Sequence, residues 1–249
     1  MKRAVSAVAF AAVALGAWQL CVSGGLVSPA TLAGPWELAR ALPKLLSPSG
    51  GLPDVASTAW ASLLAFLLSA PLGLSLGVLA YTAGEAGAAA EFSLDFLRSV
   101  PATALTPAFL ILFGLSFGTK VALGAFSSAL VIALATLSGL RRGNPTRRAV
   151  ASTLGLTGAR RLLLVELPEA APQFFLGLRA GVSLALILVV VAEMMIGSTR
   201  GLGKVISDMR YTNDVPLLYA AIFAAGVIGY AYNRLLLLAE RRLLHWRDG

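Results

Sequence analysis

Long apolar runs separated by short polar and basic segments set the pattern of this chain. Four of them are Val55–Gly84, Val121–Leu140, Phe174–Ile196 and Val215–Asn233. Each is as long as a bilayer-spanning helix, which needs about 20 apolar residues. A continuous apolar run of this length predicts a buried or membrane-spanning helix, whereas a half-buried strand would show alternating apolar and polar residues. The pattern therefore predicts an all-α polytopic membrane protein.

Two further runs bring the predicted total to about six transmembrane helices. Ala4–Val22 follows Met1, Lys2 and Arg3, and it fits either a cleavable signal peptide or a first span. We interpret it as a span because it is longer than a usual signal core and leads to more spans. The other run, Ser99–Thr119, is the predicted third span. The whole chain, residues 1–249, then forms a single membrane domain.

The third span is expected to be irregular, because Pro101 and Pro107 bracket Thr103 and Thr106. Non-helical backbone at membrane depth is tolerated only where protein or a water-filled cavity covers it. Thr103 and Thr106 are therefore candidates to line a pathway. The alternative is that their hydroxyls cap backbone carbonyls that the prolines leave free.

The segments that follow the first and fifth spans are predicted to form external loops. Ser23–Asp54 is rich in Gly, Pro and Ser, with a short surface helix expected around Trp36–Leu46. Gly197–Asp214 contains the sequence GSTRGLGK, which lacks the first glycine and the final Ser or Thr of a phosphate-binding loop. The basic tail that follows the last span is amphipathic, with Trp246 as an interfacial anchor.

The segment Arg141–Pro172 is a long basic insertion between two apolar runs. Its arginines are Arg141, Arg142, Arg147, Arg148, Arg160 and Arg161. Val150 and Leu154 share one helix face, Gly155 is expected to end that helix, and two prolines, Pro168 and Pro172, are expected to close the second half. This pattern predicts a cytoplasmic helical elbow that receives force from a partner protein. A solvated basic loop that only sets topology is the alternative.

Composition agrees with a membrane protein. The chain is 57% hydrophobic and 13% charged, with a mean hydropathy of +0.81, whereas soluble domains carry about 25% charged residues. The net charge of +8 lies in the segments between spans, which argues for membrane orientation and against nucleic-acid binding. Lys and Arg are biased about two to one toward one side, with Arg98 counted on that side and Lys120 on the opposite one, and this bias places both termini and the arginine-rich segment in the cytoplasm. One cysteine, Cys21, and one histidine, His245, leave no disulfide and no predicted metal site.

The apolar runs contain little chemistry that would drive transport. Glu193 lies near the end of the fifth run, where it is either functional or a hydrogen-bonded structural carboxylate. A self-sufficient ion-coupled transporter or channel would use Glu193 as its ion site. A membrane-embedded enzyme would need a nucleophile motif or metal cluster that the sequence lacks. The chain is thus expected to provide a pathway while another protein supplies the energy.

The arginine-rich segment resembles the EAA loop of the permease subunits of ABC importers. That loop reads Glu-Ala-Ala, three residues, Gly, nine residues, then Ile-x-Leu-Pro. Here Gly155, nine residues and Val165-Glu166-Leu167-Pro168 reproduce the second half, whereas Ala149-Val150-Ala151 replaces Glu-Ala-Ala. From Leu97 to Trp246 the chain is similar to the nitrate/sulfonate/taurine-type permeases, including the GLG at 201–203 and the closing ERRLLHW.

The resemblance implies a type I importer fold in the inner (plasma) membrane. Its partners are cytoplasmic ATPase subunits, which bind the ATP, an external substrate-binding protein, and a second permease subunit, expected to be an identical copy. The permease itself is then not an enzyme and needs no cofactor, and its solute is a small anion such as a sulfonate, nitrate or taurine, or a related molecule. Segment 141–172 becomes the coupling loop, and its implied ATPase-coupling residues are Ala149, Ala151, Leu154, Gly155, Arg160, Arg161, Leu167 and Pro168. The implied path residues are Thr103, Thr106, Ser183 and Glu193.

Overall fold

The computed structural model of the chain describes residues 2–28 and 30–245. In that part the chain is helical, without strands. The helices are α1 (Lys2–Ser23), α2 (Pro35–Leu45), α3 (Leu52–Thr82), α4 (Ala86–Ser99), α5 (Thr106–Phe113), α6 (Phe117–Arg141), α7 (Pro145–Thr153), α8 (Gly158–Arg161), α9 (Leu167–Ile196), α10 (Leu202–Thr212) and α11 (Val215–Leu243). A 3₁₀ turn, Ala102–Leu105, precedes α5, and a π-helical turn, Leu162–Glu166, joins α8 to α9.

Four helices are long and apolar enough to cross a membrane: α3, α6, α9 with its preceding turns, and α11. The pair α4 and α5 makes a fifth if it is counted as one span, bent by 83° at its break. The apolar part of α1, Ala9–Ser23, is shorter than these membrane-spanning helices. The predicted count of six is therefore four to five in the described part of the chain, and the all-α membrane fold is confirmed.

The predicted third span differs most from its sequence expectation. Instead of one helix over Ser99–Thr119, the chain bends after α4, forms the 3₁₀ turn, and then makes only the short helix α5. Prolines explain this, because Pro101 cannot continue α4 and Pro107 is accommodated only in the first turn of α5.

Helix α6 lies at the centre of the bundle and packs against both α3 and α9. Its buried side chains include Leu123, Ile132, Leu137 and Leu140. Ile132 meets Phe66 of α3 and Val182 of α9 in one apolar cluster. Because α3, α6 and α9 all run the length of the bundle, they define its two ends. We call the end near α7 and α8 the elbow end and the opposite end the far end.

The far end is covered by the two short helices α2 and α10. The predicted surface helix near Trp36 is confirmed as α2, and its Leu38 and Leu45 are buried against α11. The predicted polar loop 197–214 instead contains α10, because Leu202 is fully buried and Val205 packs beside it. Hydrophobic burial of one side thus turns a polar segment into an amphipathic helix.

Two expectations about helix ends also change. Pro168 and Pro172 do not end a helix, because Pro168 lies in the first turn of α9, where no N–H is needed, and Pro172 is accommodated further along. The last span continues past Asn233 to Leu243, so most of the predicted tail is the final part of α11. The proposed anchor, Trp246, lies outside the described residues.

Candidate functional site

The elbow begins with α7, whose two ends are both capped. The Asn144 side chain accepts a hydrogen bond from the Thr146 amide at 2.9 Å, and Pro145 occupies the first turn. At the other end, the Leu156 amide donates to the Ala151 carbonyl at 2.9 Å and the Gly155 amide to the Ser152 carbonyl at 3.0 Å. This pair of bonds is a Schellman motif.

Gly155 is the residue that makes this turn possible. Its φ of +75° lies in the left-handed region, which side chains with a Cβ rarely adopt. No other atom would meet a Cβ placed there, so the requirement for glycine is conformational rather than steric. The sequence prediction that Gly155 ends the first helix of the elbow is confirmed.

A buried carboxylate connects the elbow to α9. Glu166 is only 3% exposed. Its Oε1 lies 3.0 Å from Nε of Arg161 and 3.7 Å from Nε of Arg148. These are ion pairs without aligned hydrogen bonds, since the same three atoms have no hydrogen-bond partner within the described chain. Charge attraction therefore holds the elbow against the start of α9 while leaving some freedom of geometry.

Arg148 also ties the elbow to the rest of the bundle. Its Nη2 donates to the Leu140 carbonyl at the end of α6, and its guanidinium lies 5.7 Å from the ring centre of Tyr81 in α3. A second ion pair, between Arg147 and Glu169, spans 3.5 Å from α7 to α9. The elbow is thus attached to all three central helices.

The outward side of the elbow is apolar. Val150 is 53% exposed and Leu154 is 73% exposed, and a groove of about 310 Å³ runs between them and Val165. Leu163 and Leu164 are also exposed. A contiguous apolar surface beside basic residues is typical of an interaction site.

The eight predicted coupling residues do not all lie on that surface. Ala149, Leu154, Gly155 and Arg160 are exposed, whereas Ala151 is buried. Arg161, Leu167 and Pro168 are half-buried. Sequence reasoning missed Glu166 as the fixed point of the elbow, although it lies inside the quoted Val-Glu-Leu-Pro motif.

A second buried carboxylate, Glu193, lies at the far end of α9. One of its oxygens lies 2.6 Å from Nζ of Lys120 in α6, and the other accepts from the Thr58 hydroxyl at 2.7 Å. The Gly203 amide donates to that second oxygen at 3.0 Å. Both charged side chains are almost fully buried, at 4% exposure for Lys120 and 0% for Glu193.

Lys120 has a full set of acceptors. Besides Glu193 it donates to the Ser57 hydroxyl at 3.1 Å and to the Arg200 carbonyl at 3.2 Å, which matches the three N–H donors of an ammonium group. From the sequence, Lys120 was predicted to be an external loop charge, and its pair with Glu193 was not predicted. The signal was available, because a carboxylate in an apolar run needs a buried partner.

The GLG segment before α10 completes this cluster. A Cβ on Gly201 would overlap the carboxyl group of Glu193, and a Cβ on Gly203 would overlap the Val190 carbonyl. The Gly201 amide donates to Asp54 at 2.8 Å, and the Leu202 amide donates to the Thr58 hydroxyl at 2.7 Å. We call the set Thr58, Lys120, Glu193 and Gly201–Gly203 the far-end cluster.

The other predicted path residues are Thr103 and Thr106 at the broken span and Ser183 on α9. Thr106 is buried and donates to the Thr103 carbonyl at 2.8 Å, while the Thr103 side chain is exposed. Ser183 accepts from the Asn233 amide at 2.9 Å, between α9 and α11. The hydrogen bonds thus join Thr106 to Thr103 at the broken span and Ser183 to α11, whereas Glu193 is bonded to the far-end residues Lys120 and Thr58.

Comparison with known proteins places this architecture in a family. The family model described as "binding-protein-dependent transport system inner membrane component" matches residues 57–245. The chain belongs to this family. Its members are ABC importer permeases, so the predicted function as a non-enzymatic transport subunit is confirmed.

Individual relatives cover nearly the whole of the permease. A Bacillus subtilis (strain 168) protein, named as an aliphatic sulfonates transport permease, SsuC, is 31% identical over 95% of this chain and 86% of its own. The taurine transport system permease TauC of Escherichia coli (strain K12) is 28% identical over 94% of this chain and 87% of its own. A crystal structure of an amino acid ABC transporter with histidines superposes with a TM-score of 0.64 at 20% identity, covering 83% of this chain and 97% of that one. That last likeness shows the permease fold.

Proposed function

We propose that this permease imports a small organic anion of the sulfonate class, and that its elbow docks on a cytoplasmic ATPase. The names of the two relatives support the solute class. The exposed apolar groove on α7 supports the docking, because it is framed by Val150 and Leu154 and held in place by Gly155 and Glu166. The groove is the observation on which this proposal depends.

The length of α9 and its contacts at both ends support a way in which ATPase docking on the elbow would move the membrane-spanning helices. Thirty helical residues span about 45 Å, since each adds about 1.5 Å. Its elbow end is bound to α7 through Glu166, and its far end is bound to α10 through Glu193. A displacement of α7 by closing ATPases would therefore be passed to the far end by one rigid helix.

The remaining partners follow from the same assembly. A second copy of the permease would cover the exposed faces of α5 and α9 and enclose the solute path. The binding protein would dock on the far end, where α2 and α10 lie, and the elbow end with both termini would face the cytoplasm. The excess of basic residues at the elbow end supports that orientation.

A substitution at Gly155 tests the elbow. Gly155→Ala is expected to lower solute uptake and binding-protein-stimulated ATP hydrolysis about tenfold or more, because the left-handed turn resists a Cβ. Gly226→Ala is the matched control, since Gly226 also has open space around it but lies inside helix α11. Both variants are reconstituted with the ATPase and the binding protein. Normal uptake by Gly155→Ala would remove the elbow from the proposal.

The ion-coupled alternative makes a different demand on Glu193. A coupling carboxylate must exchange an ion or proton with a path, yet both oxygens of Glu193 already have short partners, Lys120 and Thr58. This occupancy favours a structural role in the far-end cluster. Solute flux driven by an ion gradient through the purified permease without ATPase would establish the alternative.

A further inference from the structure

The break between α4 and α5 lies near mid-depth in the bundle. On one side of it, Leu94 of α4 packs with Leu130 and Leu137 in the elbow half of α6. On the other side, the residues around α5 pack with Leu123 of α6 and Ile196 of α9, in the far half. The 3₁₀ turn therefore lies level with the middle of α6, where non-helical backbone requires cover by protein or water.

A cavity of about 200 Å³ opens at this break. It is lined by the end of α4, the middle of α6 and one residue of α9, including Arg98, Ser127, Leu130 and Leu184. Ser127 lies about 15 Å along α6 from its far end. The cavity is thus a mid-membrane feature, and we call it the break cavity.

Arg98 brings a positive charge to the break cavity. Its predicted place was in the cytoplasmic segment before the third span, but it lies in the last turn of α4, beside the break. Its one described hydrogen bond runs from Nη2 to Asp95 at 3.2 Å, and both side chains remain about half exposed, at 56% and 52%. A guanidinium has five donors, so most remain available for an anion.

Ser127 supplies an unused polar group in the same place. It is 6% exposed, and within the described chain its hydroxyl has no hydrogen-bond partner. Buried hydroxyls are almost always bonded, so an unpartnered one that lines a cavity points to a ligand or water. Ser99, by contrast, already donates to the Asp95 carbonyl.

We propose that the break cavity binds the transported anion, with the Arg98 guanidinium holding its sulfonate or carboxylate group and Ser127 donating to it. This inference rests on the proposed import function. A charged pair at mid-depth faces protein or water rather than lipid, so the exposed side of Arg98 marks the solute path. The planar guanidinium fits two oxygens of such an anion, and the volume suits a small solute.

Chemical labelling tests the site without requiring transport. Ala102, which lines the break cavity, is changed to cysteine in a Cys21→Ser background, within the complex assembled with the ATPase. Two methanethiosulfonate reagents are compared, one with a sulfonate group and one with a trimethylammonium group. The sulfonate reagent is expected to react about tenfold faster, and ethanesulfonate, but not tetramethylammonium, is expected to slow it.

Variants assign the preference to the two side chains. Arg98→Gln is expected to abolish the preference for the sulfonate reagent, Arg98→Lys to retain it, and Ser127→Ala to weaken protection by ethanesulfonate. A cysteine at Ser116, in the far-end region, serves as the control whose reagent ratio Arg98→Gln leaves unchanged. Equal rates for the two reagents, a preference that survives Arg98→Gln, or no protection would overturn the proposal.

The same preparations separate this inference from the import function. Binding-protein-stimulated ATP hydrolysis is measured on the unmodified complex and on Arg98→Lys. Loss of stimulation with intact reagent selectivity would refute the import function while leaving an anion site. Normal stimulation without selectivity would refute the site alone.

Discussion

The two ends of α9 use the same chemistry in opposite ways. At the far end, Glu193 is enclosed and both of its oxygens have hydrogen-bond partners, as do all three donors of Lys120. At the elbow end, Glu166 is equally buried, but its partners Arg148 and Arg161 are 27% and 37% exposed. At the far end every polar group of the pair therefore has a hydrogen-bond partner. At the elbow end the charges attract each other without aligned hydrogen bonds.

The difference has a physical consequence for movement. Breaking a saturated buried pair leaves an uncompensated charge, so the far end is expected to move as one unit with α10. Charge attraction between Glu166 and two partly hydrated arginines changes little with small rotations, so α7 can rotate by small angles while it stays attached to α9. The end that would meet an ATPase is the one that tolerates rearrangement.

The largest expected effect comes from removing one member of the far-end pair. Lys120→Met leaves Glu193 buried without its cation and is expected to destabilise the protein by about 3–5 kcal/mol. Thermal unfolding in detergent, followed by size-exclusion, measures the loss. The double variant Lys120→Met with Glu193→Leu is expected to recover most of it, because it leaves no buried charge.

An exposed pair provides the control for this comparison. Lys204 and Asp208 are one turn apart on α10 and are both partly exposed. Lys204→Met is expected to change stability by less than about 1 kcal/mol, since exposed pairs contribute little. If Lys120→Met lowered stability no more than Lys204→Met does, the far-end cluster would not hold α9 and α10 together.

A smaller effect is expected from the glycines of the GLG segment. Gly203→Ala places a methyl group against the Val190 carbonyl, which belongs to the backbone of α9 and cannot move aside alone. Overpacking of this kind costs about 1–3 kcal/mol. The expected result is a lower unfolding temperature and easier proteolysis of α10, with Gly226→Ala unchanged.

Glycine at these positions has two possible explanations, close packing against α9 and a backbone conformation that disfavours a Cβ. If Gly203→Ala unfolds at the temperature of the unchanged protein, close packing is not the reason for glycine here. Gly201→Ala adds a second constraint, because Gly201 has a φ of +143° as well as a contact with the Glu193 carboxyl group. It is expected to be at least as destabilising as Gly203→Ala.

The sequence predicts the local features of this molecule better than its long-range ones. The membrane-spanning runs, the helix near Trp36 and the stop at Gly155 follow from periodicity and backbone chemistry, which act over a few residues. Glu193 was recognised as unusual for the same reason. Each of these signals lies within one stretch of chain.

What the sequence could not predict depends on tertiary packing. Lys120 and Glu193 are 73 residues apart, so nothing local in either stretch indicates that they pair. Arg98 looked like an ordinary inner-loop charge until the 83° bend placed it at the break cavity. The polar segment 197–214 contains helix α10 because Leu202 is buried against α11. In each case a distant contact overrode the local pattern.

The smallest expected effect on stability lies at the elbow end. Glu166→Gln removes the charge that attracts Arg148 and Arg161, but both arginines keep part of their hydration. The expected destabilisation is about 1 kcal/mol, well below that of Lys120→Met, because partly exposed charges retain contact with water. Transport should suffer more than stability, since the charge attraction that keeps α7 attached to α9 would be lost. The informative measurement is therefore a pair, the unfolding temperature and the ATP hydrolysed per solute imported. The control is Glu85→Gln, which removes an exposed carboxylate between α3 and α4. A drop in unfolding temperature as large as that of Lys120→Met would show that the two ends of α9 are equally rigid, and the proposed difference between them would be lost.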